Sequence, residues 1–557
     1  MAVVGANGSG KTTLARHLNA LLVPTQGAVT IGGLDTRNPR NHPEIRRMVG
    51  MVFQRPEDQT VATLVEHDVA FGLENMGLPT AEIRTRVDEV LHRLDLWEER
   101  RRPPHMLSAG QMQRLALAGV LAMRPACIIF DEVTAMLDPV GRRAVRALLR
   151  ELHEQGLTLI LITHLMEEVL DADRIVVLHK GRVALEGPPN EIFTDADQVR
   201  PFGLDLPPAA RLARQILDTI PVSDTAAAAI NKVLSVSDLV TALDRLPRRV
   251  IDCPPDQESI ESSEDGVGAS SPALIQATGL GHTYMAGTPF AHLALRDATI
   301  AIRDELPHGL IGATGSGKST LLQHLNGLLR PQEGNVRVGS YDLNDPDVDL
   351  RHVRRSVGLV FQTPESQIFE QYVGDEIAYG PRLAGLTGEA LRERVRWAMA
   401  LVGLDFEAFK DRYTFALSGG EKRKVALAAI LSLQPRALLL DEPTAGLDPA
   451  SRVEILDHLT ALQHSGMVLA ISSHQMEDVA QLVSELTVMV DGTTVASGPM
   501  RQIFTRGEEL LSWGLEQPVA AQVATALRER GWTLPDNLVE PGQLVEHLAR
   551  CCRQEEC

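Results

Sequence analysis

The sequence predicts an α/β chain of two tandem phosphate-loop domains, each with a parallel-sheet core, an inserted helical subdomain and a small C-terminal helical module. Three observations carry that expectation. One series of motifs occurs twice in the same order, the copies lying about 310 residues apart, a period at which a repeat means duplicated domains. Short apolar runs alternate with helical stretches through each copy, as in a mostly parallel sheet covered by helices. The 557 residues are also more than one core accommodates.

In the first copy a strand at Ala2–Val4 leads through Gly5-Ala-Asn7-Gly8-Ser9-Gly10-Lys11-Thr12-Thr13 into a helix over 11–21. In the second, a strand at 309–311 leads through Gly312-Ala-Thr314-Gly315-Ser316-Gly317-Lys318-Ser319-Thr320 into a helix over 318–328. A loop of this kind wraps phosphates in backbone N–H groups, its glycines allow close approach, and the helix N-terminus favours negative charge. Lys11 and Lys318 are therefore expected to reach the β and γ phosphates of ATP, and Thr12 and Ser319 to ligate Mg²⁺. Helical periodicity at 81–94 and Gly388–Leu401 marks the inserted subdomain.

Downstream, Ile128-Ile-Phe-Asp131-Glu132 and Leu438-Leu-Leu-Asp441-Glu442 end apolar strands. This aims Asp131 and Asp441 at the metal and leaves Glu132 and Glu442 to polarise the attacking water. The bland alternative is that each acidic pair caps the next helix, but the pairs continue into Thr134 to Asp138 and Thr444 to Asp448 in the same arrangement. His164 and His474 stand at the mouths of buried strands, where a side chain can meet a γ phosphate; a lone histidine there is usually structural, but this one recurs. Gln54 and Gln362, each inside Val-Phe-Gln, gain weight from the same order.

A net charge of −19 argues against a protein that lives on phosphate backbones, so no nucleic-acid partner is expected. No apolar run approaches the ~20 residues that cross a bilayer; the strongest, 157–163 and 437–440, suit buried strands. Five cysteines, Cys127, Cys253, Cys551, Cys552 and Cys557, are too few and scattered for a disulfide framework; Cys127 reads as core and the terminal ones as free thiols.

The repeat outlasts the nucleotide motifs. Phe202-Gly-Leu-Asp-Leu-Pro207 followed by a helix over 209–217 returns as Trp513-Gly-Leu-Glu-Gln-Pro518 followed by one over 520–527, so each half is expected to carry its own helical module. The expected divisions are a first ATPase domain at 1–195, its module at 196–250, an acidic Ser- and Pro-rich linker at 251–272, a second domain at 273–505 and its module at 506–557.

Leu107-Ser108-Ala109-Gly110-Gln111 and Leu417-Ser418-Gly419-Gly420-Glu421 complete the series. With them the chain resembles the ATPase subunits of ABC transporters over nearly its whole length. The resemblance implies that the signature of one domain covers the nucleotide of the other. One site then combines Lys11, Gln54, Asp131, Glu132 and His164 with Ser418 to Glu421; the other combines Lys318, Gln362, Asp441, Glu442 and His474 with Ser108 to Gln111. It also implies that Gln54 and Gln362 join the metal's ligands and that Tyr284 stacks on adenine, although a surface tyrosine at a strand end is an ordinary feature.

Val52-Phe-Gln-Arg-Pro-Glu-Asp-Gln59 and Val360-Phe-Gln-Thr-Pro-Glu-Ser-Gln367 look like the extended glutamine loops of energy-coupling factor transporters. These importers of vitamins and of cobalt or nickel ions use two unequal ATPases, here fused. The implied partners are a transmembrane coupling protein and a substrate-binding membrane protein, and the implied place is peripheral, on the cytoplasmic face of the cell membrane. Departures are Ala109 for glycine, Glu421 for glutamine, and Val133 and Met136 against Pro443 and Gly446; with both glutamates kept, two hydrolytic sites, free to differ in rate, are expected. The rival expectation is a soluble twin-cassette ATPase of translation or DNA repair, disfavoured by the short acidic linker and the lack of cysteine pairs. The second copy has about 38 residues ahead of its phosphate loop and the first has four, so a natural start upstream of Met1 is expected.

Overall fold

The computed structural model describes residues 1–134, 137–246, 273–288, 290–304 and 306–552. The linker at 251–272, Met136, Cys253 and Cys557 lie outside the described residues, as does the side chain of Ala109. The chain forms two compact units, Met1–Pro207 with Asp448–Ala450, and Pro208–Leu447 with Ser451–Cys557.

The first unit holds a six-stranded sheet in the order Val49–Val52, Cys127–Asp131, Thr158–Ile162, Ala2–Val4, Ile175–His179, Arg182–Gly187. Its pairings are parallel except the last. The second unit repeats this with Val357–Val360, Ala437–Asp441, Val468–Ser473, His308–Ile311, Glu485–Val490 and Thr493–Pro499. Runs such as Ala-Leu-Leu-Leu-Asp at Ala437–Asp441 are buried throughout because a parallel sheet is covered on both faces, which is why they read as continuous apolar stretches. In each unit the strand that feeds the phosphate loop lies inside the sheet, so the loop opens at its carboxyl edge, where α/β folds bind ligands. The second unit adds a four-stranded antiparallel sheet, His292–Ile302, Ile275–Tyr284, Glu333–Val338, Tyr341–Asp342; its two-stranded counterpart in the first unit is Thr30–Ile31 with Leu34–Asp35.

The phosphate-loop helices stop earlier than periodicity suggests, at Lys11–Leu18 and Lys318–Leu325. The side-chain amides of Asn19 and Asn326 donate to the carbonyls of Val49 and Val357 at 2.7 and 2.5 Å, and Ala20 and Gly327 then turn left-handed with φ of 54° and 71°.

Both helical subdomains are present. Val65–Asn75, Thr80–Arg93 and Ala109–Ala122 bury Val69, Leu73, Leu91 and Leu115, and Val373–Leu383, Gly388–Leu401 and Gly419–Leu431 bury Ile377, Met399 and Leu427.

The helical modules depart from the expectation of one per half. Within the second unit, Pro208–Thr219 and Val236–Leu243 share a single core with Val519–Glu529 and Pro541–Cys552, in which Leu212, Ile216, Leu239, Leu527, Leu544 and Leu548 are packed together. The Trp532 indole N–H donates to Asp244 at 3.3 Å. Each amphipathic face therefore finds its cover in the other half's helices. Among the described residues Cys551 and Cys552 form no disulfide, and burial, then the neighbouring Cys551, pushes the Cys552 thiol up to about 11. Among the described residues no group of three or more metal-ligating side chains is assembled, and no helix is long and apolar enough to cross a membrane.

Candidate functional site

Each phosphate loop is drawn around its own lysine. Lys11 Nζ donates to the carbonyls of Gly5 and Ala6 at 2.9 and 3.1 Å, and Lys318 Nζ to those of Gly312 and Ala313 at 2.7 and 3.0 Å. Gly10 and Gly317 enter the helices with φ of 104° and 96°; a Cβ on Gly317 would lie 2.7 Å from the Ala294 carbonyl, so both dihedral and space require glycine. The hydroxyls of Ser9 and Ser316 are buried with no hydrogen-bond partner among the described residues. An orphaned donor beside free helix N-terminal N–H groups is what a bound polyphosphate satisfies. Thr13 and Thr320 follow one residue beyond the hydroxyls of Thr12 and Ser319, while Asn7, Gly8, Thr314 and Gly315 are exposed at the loop tips.

Thr12 Oγ1 donates to Asp131 at 3.1 Å, which brings together two of the oxygens expected to hold Mg²⁺. In the second unit Ser319 hydrogen-bonds Asp441, and Ser472 donates to the same carboxylate at 2.5 Å. Burial pushes the carboxyls of Asp131 and Asp441 up, against those hydroxyl hydrogen bonds. A hard, oxygen-only donor set of this kind suits a magnesium ion.

The neighbouring glutamates adopt a backbone conformation the sequence does not advertise. Glu132 and Glu442 have φ of 51° and 50°, a left-handed state that costs a non-glycine residue about 1–2 kcal/mol and collects at functional sites. Gln54 Nε2 donates to Glu132 at 2.9 Å, with His164 Nδ1 at 3.6 Å and Lys11 Nζ at 3.9 Å from that carboxylate. His474 Nδ1 approaches Glu442 to 2.8 Å. Burial raises both glutamates' pKa values, but the histidines and lysines around them outweigh it and hold both below the ordinary carboxylate range. Burial holds Lys11 below its ordinary range, with Glu132 opposing.

Two glutamines with no assigned role close the loops that carry Gln54 and Gln362. Gln59 accepts the N–H of Phe53 at 3.2 Å and Gln367 that of Phe361 at 3.3 Å. The carboxylates of Asp68 and Glu376 then accept pairs of backbone N–H groups, from Val61 and Ala62 and from Phe369 and Glu370. The signal was the recurrence of each residue at one offset in both copies.

Ser108 and Ser418 are N-caps of the helices Ala109–Ala122 and Gly419–Leu431, each in a reciprocal capping box with Gln111 or Glu421. The change from glutamine to glutamate is matched in its surroundings. Gln111 Nε2 donates to Glu99 at 3.4 Å, whereas the Glu421 carboxylate accepts from Arg412 at 2.9 Å. Gly110, Gly419 and Gly420 lie in the first turns of these helices. Tyr284 is half-buried, its hydroxyl 3.3 Å from Thr320 Oγ1. Within the first unit, which includes Asp448, that residue's carboxylate accepts the N–H of Asn7 at 3.0 Å.

The family model described as ABC transporter matches residues 1–135 and 295–445. A protein of Caldanaerobacter subterraneus named as a candidate ABC transporter ATP-binding protein is 34% identical over 531 residues, covering 94% of this chain and 90% of its own. Two proteins of Symbiobacterium thermophilum match shorter stretches. The energy-coupling factor transporter ATP-binding protein EcfA1 is 53% identical over 251 residues, 45% of this chain and 85% of its own. EcfA2 is 48% identical over 264 residues, 47% of this chain and 91% of its own. With two matched regions, two assembled phosphate loops and a relative similar over almost its full length, the chain belongs to the ABC transporter family as an ATPase with two tandem cassettes.

Proposed function

We propose that this chain is the motor of an energy-coupling factor type importer of vitamins or transition-metal ions, acting from the cytoplasmic face of the cell membrane. The observation that carries this reading is the similarity, at 53% and 48% identity, to proteins named as energy-coupling factor transporter ATP-binding proteins EcfA1 and EcfA2. The domain divisions given above apply, with the helical modules as joined by their common core.

Lys11 and Lys318 with the loop N–H groups bind the triphosphate, and Tyr284 stacks on adenine in the second half. Thr12, Asp131 and Gln54 in the first half, and Ser319, Asp441 and Gln362 in the second, would hold Mg²⁺, which when bound would offset charge on the transferred phosphates. Glu132 and Glu442 orient and polarise water, and His164 and His474 hold those carboxylates and meet the γ phosphate. Each site is closed by the other half's signature, Ser418 to Glu421 over Lys11 and Ser108 to Gln111 over Lys318. The higher affinity of ATP for the closed state is the energy source, and the partners that receive the motion are a transmembrane coupling protein and a substrate-binding membrane protein.

Purification from detergent-solubilised membranes of cells that express the chain naturally tests this. Integral membrane proteins should copurify in fixed proportion; ribosomes or DNA in their place would favour the translation or repair reading instead.

A further inference from the structure

Arg423 lies in the helix Gly419–Leu431 that begins at the second signature, and it is only 8% exposed. Its guanidinium spans two segments that are far apart in sequence. Nη1 donates to the carbonyls of Pro443 at 2.6 Å, Ala445 at 2.9 Å and Glu442 at 3.4 Å, and Nη2 to that of Gln362 at 2.9 Å. A planar fork of five donors is the side chain that can hold several carbonyls in one geometry. Two of those carbonyls belong to Glu442 and Gln362 themselves.

The first unit has Gln113 at the corresponding place, 6% exposed, with its Nε2 lacking any partner among the described residues. Among the described residues this shorter amide, with two donors, makes no such tie. The two carboxylates differ accordingly: His474 stands 2.8 Å from Glu442, and His164 stands 3.6 Å from Glu132.

We propose that Arg423 is a positioning residue of the second hydrolytic site. It fixes the loops of Gln362 and Glu442 to the helix behind the signature, a tie that Gln113 does not make among the described residues of the first site. The inference rests on the water-orienting role of Glu442 given above. Because Arg423 holds the backbone carbonyls of the Gln362 and Glu442 loops, its loss should slow the chemical step and leave ATP binding in place.

Steady-state ATP hydrolysis and ATP-induced thermal shifts of Arg423→Gln, Arg423→Lys and Gln113→Ala in the full chain decide the matter. For Arg423→Gln, read in a Glu132→Gln background so that the second site alone is counted, the expected result is a fall in kcat on the order of tenfold, a loss of orientation rather than of affinity, with KM within about twofold of that background and the ATP-induced rise in melting temperature retained. Arg423→Lys should recover part of the rate, since one ammonium reaches some of the carbonyls, and Gln113→Ala should leave kcat and KM within about twofold. Unchanged kcat in Arg423→Gln, equal losses in Arg423→Gln and Gln113→Ala, or a joint fall of kcat, ATP affinity and melting temperature would overturn the proposal. Should Arg423→Gln not fold, Arg423→Lys decides by the same split between kcat and KM. Failure of the underlying reading shows separately, as persistent hydrolysis when Glu132 and Glu442 are both changed to glutamine.

Discussion

Glu132→Gln combined with Glu442→Gln is expected to abolish turnover, lowering kcat by on the order of 10³-fold while ATP stays bound. Glutamine keeps the size of glutamate, and its amide oxygen can still accept from Gln54, which bonds Glu132 at 2.9 Å. What it loses is the negative charge that the histidines and lysines of each site hold in place. Neither lysine bond to the phosphate-loop carbonyls involves the glutamates, so the nucleotide pocket should stand. Phosphate release reads the loss of turnover, and filtration of the doubly altered protein reads the retained ATP. Hydrolysis at the parent rate would assign water activation to another group.

The second large effect concerns the joined helical core. Leu548 and Leu239 are fully buried, and they come from opposite ends of the second unit's chain. Either residue changed to alanine should cost about 2–5 kcal/mol through lost transfer energy and a residual cavity. Because they share one core, either variant should lower the midpoint of one unfolding transition common to all four helices. Urea denaturation followed by tryptophan fluorescence measures both, and Trp532 lies in that core. Two separate transitions, each moved by only one of the variants, would mean two modules that fold independently.

The parts of the site legible in the sequence were those whose chemistry constrains the backbone. A phosphate loop needs glycine where φ reaches 104° at Gly10 and 96° at Gly317, and a carboxylate aimed past a sheet needs a buried strand behind it, as at Ala437–Asp441. Such demands leave residue types at set spacings. The left-handed turns at Glu132 and Glu442 left no such mark, because the strain falls on a residue retained for its side chain. Helix ends at Asn19 and Asn326 were obscured because a tertiary hydrogen bond to a strand carbonyl, not local propensity, ends them. The amphipathic helices Pro208–Thr219 and Val519–Glu529 showed an apolar face each, but periodicity does not say what covers it. Arg423, between Lys422 and Lys424, carried no local signal, since its burial among carbonyls is set by segments some 20 and 61 residues away.

The central claim is that the two cassettes close head to tail around ATP. Cysteines placed at Asn7 and Ser418, in a chain whose five native cysteines are changed to serine, test it with a short bifunctional thiol reagent in the Glu132→Gln, Glu442→Gln background. Cross-linking that appears with ATP and vanishes without it is the predicted result; cross-linking that never forms, although ATP is bound, would contradict it.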